Sequence, residues 1–136
     1  MNGFVIDSSA LIAILVVEPE ADSFNRFLDL NLASCISAAT VHEVFSVVVR
    51  RKFVDGVARL ERILELIEPE IVAFDARQLS VARAAYVRYG RGTGHPAGLN
   101  LGDCFSYALA KSRNLPLLFK GDDFRHTDIE PALKAG

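Results

Sequence analysis

The chain lacks an excess of either charge: 15 Lys and Arg stand against 17 Asp and Glu, a formal net charge of −2. Bulk charge therefore makes no case for a nucleic-acid partner. It is poor in cysteine, with only Cys35 and Cys104. Neither belongs to a CxxC or a Cys/His spacing, so zinc is not indicated, and both read as small buried hydrophobes. It has no Pro- or Gln-rich stretch of the kind that marks a disordered tail. It has no long hydrophobic run. "ALIAILVV" is too short to cross a bilayer and is closed by Glu18-Pro19-Glu20, so no membrane is expected. No secretory leader is recognised before the first strand, and a reducing cytoplasm is the expected compartment. No internal repeat is visible.

What is present suits one globular domain, residues 1–136, with 51% of its residues apolar. The charges are unevenly spread. Between Ala76 and Gly121 lie Arg77, Arg83, Arg88, Arg91, Lys111, Arg113 and Lys120, with Asp103 as the lone acid. That stretch reads either as a cationic face around one carboxylate or as an ordinary solvated helix surface.

Apolar periodicity alternates between short runs and amphipathic segments. Strands are expected at "FVID", "ASCIS", "IVAFD" and "LPLLF", with a short fifth strand and a terminal turn in "TDIEPAL". Helices are expected over 8–17, 18–31, 38–52, 55–68, 76–90 and 101–114. "RGTGHPAGLN", with three glycines and a proline, is the one obvious loop. Strands alternating with helices predict an α/β domain with a mainly parallel sheet between helical layers. Ligands of such sheets bind beyond the carboxyl ends of the strands, where strand order reverses.

Acidic residues gather at such ends. Asp7 closes the first strand and is the only charge between Met1 and Glu18. It either caps the next helix or is paired or metal-bound, because a bare carboxylate in apolar surroundings is costly. Glu43 is the lone acid between Asp29 and Asp55. Thr40 to Glu43 has the spacing of a capping box. A helix starting at Ser37 would instead set Glu43 inside an apolar run. Asp103 opens the most apolar helix, where the helix dipole favours an acid and Asn100 could complete a capping box. Cys104, Phe105 and Tyr107 leave that end little solvent. Asp122 and Asp123 follow the fourth strand, and strand-end placement raises Asp122 above an ordinary turn acid. Asp75 also ends a strand. A sheet of order 3-2-1-4-5 would put strands one and four side by side, bringing Asp7 and Asp122 together and leaving Asp75 at the edge as a cap. Carboxylates brought that close repel unless a cation joins them, and an all-oxygen donor set suits Mg²⁺ or Mn²⁺.

In "VIDSSALIAIL", "SAATVHEV", "HPAGLNLGDCFSYALAK" and "LPLLFKGDDF" with "TDI" behind it, the chain resembles a PIN-domain ribonuclease, specifically a VapC-type toxin of a type II toxin–antitoxin pair. The resemblance covers essentially the whole chain. It implies a three-layer α/β/α sandwich and Mg²⁺- or Mn²⁺-dependent endoribonuclease activity on RNA. By motif, it implies Asp7 and Asp103 as principal metal ligands, Glu43 as the third acid, and Asp122 as the fourth with Asp123 as its substitute. Ser8, following Asp7, would orient the site. The resemblance also implies a cognate antitoxin and a homodimer. Lys120 departs from the pattern, since many members carry Thr or Ser two residues before the fourth acid. With Arg88 and Arg91 it is a candidate for holding RNA phosphates. Two other classes compete. A metal-dependent phosphatase or phospho-receiver also ends its first strand in Asp, though Ser8 and Ser9 here break the phosphatase Asp-x-Asp. A non-catalytic RNA- or partner-binding module is the third.

Overall fold

The structure is a computed structural model, and it describes residues 3–134. Four strands form one sheet: β1 (Phe4–Ile6), β2 (Ser34–Ser37), β3 (Glu70–Val72) and β4 (Leu117–Leu118). Their spatial order is β3-β2-β1-β4 and every pairing is parallel. Six helices join them: α1 (Ser8–Leu15), α2 (Ala21–Leu28), α3 (Ala38–Arg50), α4 (Gly56–Ile67), α5 (Ala76–Tyr89) and α6 (Leu101–Arg113).

The two-residue period of the strands separates two cores. Phe4, Ile6, Ile36 and Leu118 turn to one face, packing with Leu11, Leu15, Phe24, Phe27, Val44, Val48 and Leu60 of α1 to α4. Val5, Cys35 and Leu117 turn to the other, packing with Ala82, Ala85 and Tyr89 of α5 and Cys104, Ala108 and Leu109 of α6. A three-layer α/β/α sandwich results, as expected. The valines of α3 have weak helix propensity, and burial of Val44 and Val48 overrides it. α6 is the most enclosed helix, with Gly102, Cys104 and the run Ser106–Ala110 all buried.

The expected fifth strand is absent among the described residues. Its place beside β4 is taken by one parallel bridge between Leu117 and Pro131. Leu117 donates to the Glu130 carbonyl and accepts from the Ala132 amide. Proline is tolerated there because its nitrogen lies on the side away from β4. Beyond β4, Gly121 takes a left-handed φ of 96°, which reverses the chain into a short 3-10 turn, Asp123–His126. Phe124 anchors that turn by burying against Phe119.

Candidate active site

Strand order reverses at β1, which has β2 on one side and β4 on the other. The first residue beyond β1 is Asp7. Its amide bonds the Leu118 carbonyl at 3.0 Å, which ties it to the end of β4. The Asp7 side chain caps α1 by accepting from the Ser9 amide at 3.1 Å. It also accepts from the Ser9 hydroxyl at 2.6 Å and from the Ser106 hydroxyl at 2.5 Å. Asp7 is only 1% exposed. Burial pushes its pKa above the carboxylate range, against the opposing pull of the Ser106 and Ser9 hydrogen bonds.

α3 is capped by Ser37, whose hydroxyl accepts from the Ala39 amide at 3.2 Å. The Thr40–Glu43 capping box is therefore not formed, and Glu43 lies in the second turn. Its Oε1 is buried with no hydrogen-bond partner. Burial and then the charge of Asp7 raise the Glu43 pKa, with the Ser8 hydroxyl pulling the other way.

Asp103 does form its box: the Asn100 amide donates to Asp103 Oδ2 at 3.0 Å, and the Asp103 amide donates to Asn100 Oδ1 at 2.8 Å. Capping does not exhaust the residue. Burial lifts its pKa to about 7 despite the Asn100 bond, and the charges of Asp7, Asp123 and Glu43 add to the rise. Asp7, Glu43 and Asp103 thus share one electrostatic field. Yet among the described residues no three His, Cys, Asp or Glu side chains stand close enough to enclose an ion. The donors suit a hard divalent cation: all are oxygens, and Glu43 Oε1 has a lone pair buried without a partner.

The remaining sequence candidates spread out. Asp122 has a side chain 85% exposed and pairs with Arg125 at 3.5 Å. Of the two adjacent acids, Asp123 is the one whose charge acts on Asp103. The Lys120 ammonium is taken by Glu18 and Glu20 of the α1–α2 connection. Its amide donates to Ser9 Oγ at 2.9 Å. Arg88 lies over the Tyr89 ring at 4.8 Å. Arg91 is exposed in the glycine-rich loop. That loop is no slack connector: the Arg91 amide donates to the Leu99 carbonyl, the Leu99 amide donates to the Tyr89 carbonyl, and His95 Nδ1 accepts from the Ala97 amide. Asp75 is a cap, accepting from the Gln78 amide at 2.9 Å.

The sequence does not single out Ser106, and it offers Ser9 only as a capping hydroxyl. The one available signal for Ser106 is a hydroxyl three residues after Asp103 on a helix otherwise apolar at its core face.

A family profile described as PIN domain matches residues 4–130. The chain is 44% identical to ribonuclease VapC42 of Mycobacterium tuberculosis, over 94% of this chain and 98% of that protein. It is 46% identical to ribonuclease VapC30 of the same species, over 92% of this chain and 95% of that one. Among solved structures, the sarcin–ricin-loop-cleaving toxin VapC20 of M. tuberculosis superposes with a TM-score of 0.75 at 13% identity, covering 93% of this chain and 95% of that one. VapBC2 of Rickettsia felis, bound to a promoter DNA fragment, gives 0.74 at 17%, covering 95% and 96%.

Proposed function

The chain belongs to the PIN-domain family as a VapC-type toxin endoribonuclease, and from that premise we propose that it hydrolyses RNA at a Mg²⁺ ion, with Mn²⁺ as a substitute, held by Asp7, Glu43 and Asp103. Asp123 is the fourth acid in this reading, in preference to Asp122. One observation carries the assignment: a buried, unpartnered oxygen of Glu43 lies within the field that Asp7 and Asp103 share. An antitoxin is the partner, in keeping with the VapBC complexes among the structural relatives. A homodimer and an RNA substrate complete the reading. We take residues 1–136 as one domain and the cytoplasm as its place of action. Among the described residues no helix is long and apolar enough to cross a membrane.

A divalent ion held by Asp7, Glu43 and Asp103 would make water more acidic and offset the charge that builds on the phosphoryl oxygens. The protein's own groups do the rest. Ser9 and Ser106 lock the Asp7 carboxylate in one orientation, and Asn100 does the same for Asp103. Glu43, whose buried Oε1 has no partner of its own, is the group assigned to orient or deprotonate the attacking water. Arg88 and Arg91 remain the residues assigned to flanking phosphates. Lys120 drops out of that role because Glu18 and Glu20 neutralise it.

The phosphatase or phospho-receiver alternative needs Asp7 free to attack phosphorus. Here Ser8 and Ser9 stand where a phosphatase carries its Asp-x-Asp, and a stable aspartyl-phosphate on Asp7 after incubation with an acyl phosphate would favour that class. Purified protein and a structured RNA, with and without Mg²⁺, test the nuclease reading. Cleavage should require the metal and fall by about 100-fold or more in Asp7→Asn and in Asp103→Asn. Cleavage that ignores metal or survives both substitutions would overturn it, and binding without any cleavage would favour a non-catalytic module.

A further inference from the structure

Gly102, the second residue of α6, is buried. Its backbone is not in the left-handed region, so conformation alone does not call for glycine, and alanine is the better helix former. The demand for glycine comes from across the interface with α3. A Cβ placed on Gly102 would fall on the Glu43 carboxylate, 2.5 Å from Cδ and 2.7 Å from Oε1, and nearer still to Oε2. Real Cβ atoms do not come within 3.0 Å of a neighbour. This is the same carboxylate whose Oε1 is buried without a partner, and Gly102 is bonded directly to Asp103.

We propose that Gly102 is a positioning residue: its missing side chain is the space that lets the Glu43 carboxylate enter the acidic site beside Asp103. This inference rests on the metal-site reading above. Any side chain at 102 pushes the Glu43 carboxylate aside. The group displaced is the end of a flexible side chain, so the helix and the fold absorb the change while the site does not.

The test compares wild type, Gly102→Ala, Glu43→Asp and the double variant by Mn²⁺ titration calorimetry, the Mn²⁺ paramagnetic resonance spectrum and thermal melting. Gly102→Ala should melt at or above the wild-type temperature yet bind Mn²⁺ about 10-fold or more weakly. Glu43→Asp shortens the arm by one methylene. The double variant should therefore bind Mn²⁺ more tightly than Gly102→Ala alone, an effect that a merely structural glycine would not produce. Wild-type Mn²⁺ affinity in Gly102→Ala, an unfolded Gly102→Ala, or a double variant no better than Gly102→Ala would each overturn the proposal. A wild-type protein that takes up no Mn²⁺ would instead defeat the metal-site reading on which it rests.

Discussion

The Ser106 hydroxyl donates to Asp7 Oδ1 at 2.5 Å, joining residues 99 apart in sequence. Both are fully enclosed, Ser106 at 0% and Asp7 at 1% exposure. The bond lowers the cost of a buried carboxylate and sets its direction. Ser106→Ala removes one of three donors to Asp7 and leaves an oxygen with less than it needs. It should cost about 1–3 kcal/mol in urea unfolding of the metal-free protein. A loss under about 0.5 kcal/mol would mean that Asp7 does not depend on this hydroxyl.

Asp122 and Asp123 separate cleanly by charge environment. Asp122 pairs with Arg125 in solvent, whereas Asp123 adds to the raised pKa of Asp103. Asp123→Asn should weaken RNA cleavage by about 10-fold or more, and Asp122→Asn should stay within about 2-fold of wild type. The reverse order would restore Asp122 as the fourth acid.

Much of this arrangement is readable from one dimension, and the unreadable parts have physical causes. Apolar runs alternating with amphipathic segments predict the layers, and the β3-β2-β1-β4 order matches the first four positions of the expected sheet. Asp7 and Asp103 are conspicuous because each is a charge in an apolar neighbourhood. Glu43 is ambiguous in sequence because Ser37 and Thr40 both make good caps, and only the end of β2 at Ser37 decides between them. The Asp122–Asp123 choice depends on the direction in which Gly121 turns the chain, which residue types do not encode. The expected fifth strand shrinks to the single bridge at Pro131. Gly102 carries no signature and Ser106 only a hydroxyl on an apolar helix face, since their importance lies in which carboxylate sits opposite them.

Asp128 offers a control outside the acidic site. It accepts from Tyr107 Oη at 2.8 Å and Lys111 Nζ at 2.9 Å. Burial alone would raise its pKa, but the Lys111 and Tyr107 hydrogen bonds outweigh it and hold the carboxyl below its usual value. A depressed carboxylate contributes stability above its unfolded pKa, and that contribution is lost as pH falls through the lower folded value. The pair with Lys111 is well exposed, at 39% and 40%, so screening keeps its worth small. Asp128→Asn should cost at most about 1 kcal/mol and leave RNA cleavage intact. It should also flatten part of the acid limb of a stability–pH curve. Abolished cleavage in a folded Asp128→Asn protein would bring Asp128 into the site.

The acidic site itself should give the opposite pH dependence when metal is stripped. Burial first, and then neighbouring charges, lift Asp103 from 3.8 to about 7. Asp7 and Glu43 shift in the same direction. Between those limits the folded state binds more protons than the unfolded chain, so stability falls as pH rises through that window. With a chelator present, the melting temperature should drop by about 5 °C or more between about pH 5 and pH 8. Asp103→Asn should remove a large part of that slope. Adding Mg²⁺ or Mn²⁺ at about pH 8 should restore the lost stability, since the ion binds the folded state and needs ionised carboxylates. The same addition at about pH 5 should do little, because protons already hold the sites. A metal-free melting temperature that stays flat or rises across this range would show that the three acids are not buried together as charges.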